Sequence, residues 1–304
     1  KGADASLQAL ALEVLAFRGA APSDMAMELL RHPDAQVVVA ALRGMQLPPQ
    51  ALPQRELLRL LADIRPGVRD AAIEAGMVAG SRAAWDCCRK ELEAGAEVGR
   101  VPLVLLALGG DEKDFKRLVT CTGRDEQREG ALWALGYSGR VEAAEVCLEL
   151  MARNPLAALA GEAFSAITGL QLEDSYVVPE QEEDALPPLE EDLARSLEHR
   201  PEDDLPVPEK SVVVAWWKEA RRSYARGTRY LRGRPFSLDG LLQDMEHGPR
   251  RRRPLLALEL ALRSQGACQL HTKAFAPRQR AELARARAMK ARLSAHPFPR
   301  MSGG

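Results

Sequence analysis

A short amphipathic pattern that ends near a glycine recurs along the first half of this 304-residue chain. The clearest copy is QREGALWALGYSG, which begins at Gln127, and weaker copies begin at Val37, Val68, Arg100 and Leu156. These five anchors are separated by 31, 32, 27 and 29 residues. A period of about twenty to fifty residues is the mark of a stacked repeat array. The pattern therefore predicts an architecture of repeated units, and says much less about an activity.

Each repeat is predicted to be a pair of helices joined by a short turn. In the second helix, apolar residues recur every three or four positions, as Val68, Ala72 and Ala75 do, which gives one apolar stripe. A single pair cannot bury that stripe, whereas stacked pairs can. The sequence thus predicts an all-α fold, with an α-solenoid over residues 1–170. The helices predicted after residue 50 are 53–63, 66–79, 81–94, 99–108, 111–121, 125–136, 139–152 and 155–167.

Composition agrees with closely packed helices. Hydrophobic residues make up 46% and charged residues 28% of the chain, which is enough for a core, while aromatic residues are only 5%. Plentiful Ala and Leu favour helices that approach closely. No stretch approaches the ~20 apolar residues of a membrane helix, and no signal peptide is visible. We predict a cytoplasmic protein without a membrane partner. Because the chain starts within a helical pattern and without Met, its first repeat is expected to be incomplete.

Cysteines and histidines predict neither a metal site nor a catalytic nucleophile. No CxxC motif occurs, the histidines stand far apart, and the five cysteines are typical of free thiols in a reducing compartment. Cys268 and His271 are close in sequence but lack the third, orienting group that a nucleophilic site needs. P-loop, GxSxG and EF-hand motifs do not occur either. We therefore predict a protein that is not an enzyme and holds no cofactor.

The repeated motif is similar to a known repeat family. VRDAAIEAG, QREGALWALGYSG and, more loosely, VVVAALRGM resemble HEAT-like repeats of the phycobilisome-lyase type, whose usual pattern is a valine-arginine pair, two alanines and a closing leucine-glycine. The resemblance covers about residues 1–170 and implies a right-handed solenoid. The sequence departs from the pattern at Gln127, where valine is expected, and at Gly76, where leucine is expected. A tetrapyrrole lyase would follow from this resemblance alone, and a fold does not carry a function.

Charge divides the rest of the chain into two segments of opposite sign. Residues 171–210 contain fourteen Asp and Glu, three Lys and Arg and six prolines, a net charge of −11. Such a composition predicts a surface or disordered linker, with one short helix at Leu189–Leu197. Residues 211–304 contain twenty Lys and Arg against six Asp and Glu, a net charge of +14. We predict a basic helical module there, with helices at 211–222, 238–246 and 278–293, a repeat-like helix after Pro254, and a basic loop after the first helix.

The motifs of this basic module resemble a second family. Ala215-Trp216-Trp217, Gly227–Pro235 and Ala257–Leu262 are similar to a bacterial conserved family of unassigned activity, in which HEAT-like repeats precede such a module. Genes of that family often occur beside components of contractile (type VI) secretion systems. The resemblance implies a secretion component, or its cargo, as the partner.

Two clusters of the module are candidate binding residues. Trp216 and Trp217 lie next to Arg221 and Arg222, a mixture that could stack bases and neutralise phosphates. Alternatively, one Trp could pack in the core while the arginines face water or the acidic 171–210 linker. The second cluster precedes a predicted helix N-terminus, where an anion would be favoured. It is expected to bind an external anion, to pair with the acidic 171–210 segment, or to be solvated. Its members are Arg250, Arg251, Arg252 and Arg253.

The function predicted from these features is a non-catalytic one. Stacked repeats form extended concave surfaces that suit a protein partner, so the chain is expected to be a protein-binding scaffold or adaptor, accessory to a type VI secretion system. The alternative is a nucleic-acid-binding HEAT-like protein of the DNA-repair glycosylase type, whose affinity would fall steeply with salt. The overall charge of −1 favours the first hypothesis.

Overall fold

The computed structural model describes residues 4–18, 23–45, 52–94, 99–153, 155–179, 204–290, 293, 294, 296 and 298. In this part of the chain the fold is all-α, as predicted, with a single two-stranded hairpin. The elements in chain order are α1 Ala5–Phe17, α2 Ser23–Leu29, α3 Ala35–Gly44, α4 Gln54–Leu61, α5 Pro66–Val78, α6 Arg82–Ala94, α7 Arg100–Gly109, α8 Glu112–Cys121, α9 Asp125–Ser138, α10 Val141–Leu150, α11 Ala157–Thr168, α12 Lys210–Ala220, β1 Tyr230–Leu231, β2 Arg234–Pro235, α13 Leu238–His247, α14 Arg253–Arg263 and α15 Ala276–Ala288.

Aspartates at turns start several of these helices. The Asp34 carboxylate accepts a hydrogen bond from the Gln36 amide at 2.8 Å, at the start of α3. At α8, Asp111 accepts from the Asp114 amide at 3.1 Å, and Asp114 accepts in return from the Asp111 amide at 3.0 Å, which is a reciprocal capping box. These caps satisfy amides that a helix leaves unpaired at its N-terminus. The caps explain why these helices begin close to the turn aspartates in the sequence.

The odd-numbered helices of the first part contact one another in series. Helix α1 packs on α3, α3 on α5, α5 on α7, α7 on α9 and α9 on α11, and the even-numbered helices pack beside them. The contacting residues are small or branched: Val37, Val68, Ala72, Ala131 and Ala160 are completely buried. Small residues allow helix axes to approach closely. The alanines of the repeated motif thus lie between neighbouring second helices.

The basic module lies against the same odd-numbered helices. Helix α14 contacts α5, and β1 contacts α11. Ala261, Leu262 and Phe298 belong to the main hydrophobic core together with the first eleven helices. A second, smaller core lies between α13, α14 and α15, around Leu241 and Leu260. The module is therefore held to the helix series and also has a core of its own.

A short hairpin occupies the predicted basic loop, which corrects that prediction. Strands β1 and β2 pair antiparallel, with Leu231 opposite Arg234. The Tyr230 amide donates to the Gly139 carbonyl at 2.7 Å, just beyond α9, and the Gly233 amide donates to the Ile167 carbonyl at 2.8 Å in the last turn of α11. Carbonyls at a helix C-terminus have no partner within the helix. The hairpin supplies these partners to two neighbouring helices, a long-range role that local sequence does not reveal.

The two ends of the acidic segment lie against each other. Val177 and Pro208 form an isolated antiparallel bridge. The Val178 amide donates to the Val207 carbonyl at 2.9 Å, next to this bridge. The two ends are thus fixed to each other, and Val178 and Val207 remain exposed at the surface. The helix predicted at Leu189–Leu197 lies outside the described residues.

We expect Gly139→Ala to lower the free energy of unfolding far more than Gly227→Ala does. Both glycines have positive φ, 64° and 77°, so an alanine is strained at either site, by about 1–2 kcal/mol. A Cβ at Gly139 would also lie 2.1 Å from the Tyr230 carbonyl oxygen, whereas nothing lies within 4 Å at Gly227. Forcing the hairpin away should add about 1–3 kcal/mol. Urea denaturation of the two variants measures the difference, and equal losses would contradict the docking of the hairpin.

Candidate functional site, a cleft between the helix series and the module

The described surface has a cleft between α14 and the odd-numbered helices. It consists of two adjoining cavities of about 260 and 330 Å³. Both are lined by Arg43 of α3, Glu74 of α5, and Pro254 and Leu258 of α14. The larger one continues over α7 and α9, so the cleft crosses four successive helices of the series. The volume of the larger cavity falls at the lower end of the ~300–1,000 Å³ that is usual for binding pockets.

The larger cavity has an apolar floor. Helix α7 contributes Val101 and Val104, α9 contributes Trp133, and α14 contributes Leu255 and Leu258. Trp133 and Val104 are almost entirely buried, while Leu255 and Leu258 are partly exposed and project from the module. Partly exposed leucines beside an indole ring offer contact area to an apolar group from another molecule.

Arginines stand around this apolar floor. Arg43, Arg100 and Arg251 line the larger cavity, and Glu74 is the carboxylate among its lining residues. Arg251 lies 2.8 Å from Glu162 of α11 in an ion pair, while its side chain stays 38% exposed. The electrostatic character of the cavity is therefore positive, which favours anionic groups.

Two carboxyl groups on α5, one turn apart, carry raised pKa values. Burial raises the pKa of Glu74, and the positive charge of Arg43 opposes that rise only in part. Burial, reinforced by the negative charge of Glu91, raises the pKa of Asp70 to about 6. A carboxyl in poorly hydrated surroundings prefers its neutral form.

The smaller cavity is lined by His271, whose ring nitrogen Nδ1 lies 3.0 Å from Glu282 Oε1. Arg278 Nε donates to the same carboxylate oxygen at 2.9 Å, and another of its nitrogens donates to the Phe17 carbonyl of α1. This cluster therefore ties α15 to the first helix of the series. Burial raises the pKa of the nearby Cys268 thiol, which disfavours the reactive thiolate.

The module is held to the helix series by a buried ion pair. Glu162 of α11 is 3% exposed, Arg252 is 4% exposed, and Arg252 Nε lies 2.6 Å from Glu162 Oε1. Burial alone would raise the pKa of Glu162, but Arg252 and Arg251 outweigh it and hold that pKa below its ordinary value. The Glu162 carboxylate thus pairs with two arginines that precede α14, and so fixes the start of α14 to α11.

A second buried network fixes the hairpin to α14. Glu259 is completely buried, and its carboxylate binds Arg229, which precedes β1, and Arg263, at 2.8 Å, four residues further along α14. Burial alone would raise the pKa of Glu259, but the two arginines hold it below its ordinary value. Both guanidinium groups also lie over the Phe236 ring, at 4.1 and 4.7 Å from its centroid. Arg229 further donates to the Tyr137 carbonyl of α9 at 3.1 Å.

The structure places the candidate tryptophans in packing positions. Trp217 is 6% exposed, and its ring lies 5.3 Å from that of Phe164 in α11, edge to face. Trp216 is partly buried and stacks on Trp217 with ring centroids 6.2 Å apart. The two tryptophan rings pack α12 against Phe164 of α11, the last helix of the series. Of the two alternatives open from sequence, packing in the core describes Trp217.

The neighbouring arginines form ion pairs within the chain. Arg221 lies 2.7 Å from Glu145 of α10, and Arg222 lies 3.0 Å from Glu219, one turn before it. The second pair is almost fully exposed and contributes little to stability. These four predicted residues are close in space, and the Arg221 guanidinium lies over the Trp217 ring at 6.0 Å from its centroid.

The four consecutive arginines separate into different roles. Arg251 and Arg252 pair with Glu162 of α11. Residues 180–203 of the acidic segment, the other partner considered from sequence, lie outside the described structure. Arg253 donates to the Glu246 carbonyl at 3.0 Å and so closes the end of α13. Arg250 is exposed. Of this cluster, Arg251 lines the cleft.

Apart from Arg251, the residues of the cleft were missed from sequence, although the recurring pattern carries a signal for them. Arg43, Glu74, Trp133 and Glu162 are each the sixth residue after the anchor of their repeat. This position faces α14 or the segment before it in all four cases. In the Arg100 copy the same position is Leu106, which is buried, and Arg100 itself lines the cavity.

Comparisons with known proteins identify no relative: no family model matches the chain, and neither curated proteins nor solved structures give a significant match. Among the described residues, no three His, Cys, Asp or Glu side chains group as metal ligands would. None of the helices described here is long and apolar enough to cross a membrane.

We expect Glu162→Gln to lower the free energy of unfolding by about 3–5 kcal/mol at neutral pH, because two arginines at a buried contact lose their counter-ion. Since the pKa of Glu162 is lowered in the folded protein, its contribution is present above the ordinary value of 4.5 and lost as pH falls further. The penalty should therefore vanish in acid. Glu219→Gln, in an exposed pair, is the control, with a loss of roughly 0–1 kcal/mol. Equal losses in denaturant titrations would refute this role of Glu162.

Asp70→Asn should show the opposite pH dependence. Because folding raises the pKa of Asp70 to about 6 from 3.8, its favourable contribution is present below pH 3.8 and is lost as pH rises through 6. The variant should therefore gain stability over the natural protein at about pH 8, relative to about pH 4. Thermal unfolding at both pH values measures the gain, with the exposed Asp86→Asn as control. A pH-independent difference would contradict a raised pKa.

Proposed function

We propose that this chain is a non-catalytic protein-binding adaptor that holds its partner in the cleft beside α14. In this proposal the serial contacts from α1 to α11 are those of a HEAT-like α-solenoid. The family resemblance makes a component of a contractile (type VI) secretion system, or its cargo, the candidate partner. The observation that carries the proposal is the cleft itself, in which exposed leucines of α14 face the second helices of the repeats.

Two features of the cleft favour binding over catalysis. The lining of its larger cavity is largely apolar, with Trp133 and the leucines of α14 as contact groups. Aromatic anchors such as this indole contribute much of the binding energy of protein interfaces. The carboxyl of Glu74 and the ring of His271 line the cleft, and the buried Cys268 thiol lies near it with a raised pKa. A nucleophile activated by a neighbouring base is therefore not among the groups described at this site.

The position of the module also shapes the proposal. Helix α14 covers part of the odd-numbered helices. In this proposal these helices form the concave face that is expected to bind the partner. The partner would thus contact a composite surface, with repeats on one side and the module on the other. This arrangement explains why a repeat array would keep a basic module at its C-terminal end.

The nucleic-acid alternative loses its principal residues. Trp217 is buried against Phe164, and Arg221 and Arg222 are paired with glutamates. Stacking on bases requires exposed aromatic faces. The alternative is retained as an outcome of the experiment below.

The test uses one matched pair of substitutions. Leu258→Glu places a charge in the cleft, whereas Leu58→Glu places the same charge at an exposed leucine of α4 that does not line it. We expect the intact chain and Leu58→Glu to retain a specific protein from native lysate, and Leu258→Glu to bind it at least about tenfold more weakly, because an unpaired charge must be desolvated.

Circular dichroism should first show that both variants fold. Equal retention by the two variants would move the binding site away from the cleft. Recovery of nucleic acid alone, released by moderate salt, would replace the proposal with the alternative.

A further inference from the structure

The cleft combines an apolar floor with a cationic rim, and this combination restricts its occupant. The floor is made by Val104, Trp133 and Leu255, and the rim by Arg43 and Arg251. An apolar group alone would bring no anion to the exposed Arg43, although Arg251 already pairs with Glu162, and an anion alone would leave the floor uncovered. Complementary charge and apolar contact together select one class of partner.

We propose that the cleft binds an extended protein segment in which a large apolar side chain stands next to carboxylates. This inference rests on the proposed protein-binding function and adds the chemistry of the segment. The apolar side chain lies between Trp133 and the leucines of α14. The carboxylates lie toward Arg43 and Arg251 at the two ends of the cavity.

The length of the cleft favours a chain segment over a compact small molecule. Its larger cavity crosses α3, α5, α7 and α9. Neighbouring packed helices are about 8–10 Å apart, so four of them span roughly 27 Å. An extended chain covers about 3.3 Å per residue, and roughly eight residues therefore follow the cleft from end to end.

The carboxylates already present do not neutralise this rim. Glu162 is shared between Arg251 and the buried Arg252, so one carboxylate serves two cations. Glu74 lies beside Arg43 without a hydrogen bond from another described side chain, and burial raises the pKa of its carboxyl. A segment that brings its own carboxylates would complete the pairing of Arg43.

Labelled peptides of about eight residues test the inference by fluorescence anisotropy on the full chain. One peptide carries a central Phe flanked by Glu, a second replaces the Glu residues with Lys, and a third replaces Phe with Ser. We expect the first to bind, with weaker binding at higher salt, and the other two to bind at least about tenfold more weakly.

Two arginine substitutions locate the binding. Arg43→Glu reverses a charge on the rim, whereas Arg55→Glu reverses one at an exposed position of α4 outside the cleft. We expect Arg43→Glu to weaken binding of the Phe–Glu peptide about tenfold and Arg55→Glu to leave it nearly unchanged. Equal effects, or binding unaffected by Leu258→Glu, would overturn the inference because the peptide would then bind elsewhere.

The outcomes separate this inference from the proposed function. Tighter binding of the Lys peptide, or equal binding of the Ser peptide, would overturn the stated chemistry and leave a protein-binding cleft in place. If no peptide binds but a partner is retained through Leu258, cross-linking from the cleft identifies the bound segment. A segment without an apolar residue next to carboxylates refutes the inference. Loss of both peptide and partner binding would refute both proposals.

Discussion

The burial of charge between the module and the helix series is the interaction on which the rest of the structure depends. Glu162 of α11 binds Arg251 and Arg252 across this contact. Glu259 binds Arg229 and Arg263 within the module, and Arg229 also donates to the Tyr137 carbonyl of α9. A buried ion pair adds little stability compared with a well-packed apolar contact, but removal of one partner is costly. Such pairs therefore specify where the module sits rather than how strongly it is held. These contacts place α14 beside the odd-numbered helices but leave a gap between them, and this gap is the cleft.

The fold class and most helix boundaries could be predicted from the sequence, since both follow from local signals. Apolar periodicity, capping aspartates and proline or glycine breaks act within a few residues of where they stand. The hairpin could not be predicted in this way, because its partners are carbonyls of α9 and α11, more than sixty residues away in sequence. Likewise, Arg252 pairs with Glu162 across ninety residues. Local composition pointed instead to the acidic segment, which was nearer in sequence.

The cleft was hidden from sequence reasoning for a different reason. Arg43, Glu74 and Trp133 differ in chemical type, so they do not resemble a motif when the chain is read in order. They become a set only when the repeats are superposed, because each occupies the same turn of its second helix. The adjacent aromatics Trp216 and Trp217 form a clearer motif in the sequence and were predicted as binding residues, yet Trp217 contributes to the core. For these residues, the position within the recurring sequence pattern is a better guide to the surface than proximity along the chain.

The bridge between Val177 and Pro208 has a consequence for how the chain can change over time. This bridge joins the two ends of the acidic segment, so the residues between Val177 and Pro208 begin and end at positions that are already adjacent in the fold. Lengthening a closed loop is inexpensive, about 0.6 kcal/mol for each doubling. Insertions and deletions there would leave the module seated on the repeats. Natural variation and engineered insertions, such as a fluorescent domain or an affinity tag, can therefore be accommodated at this point of the chain.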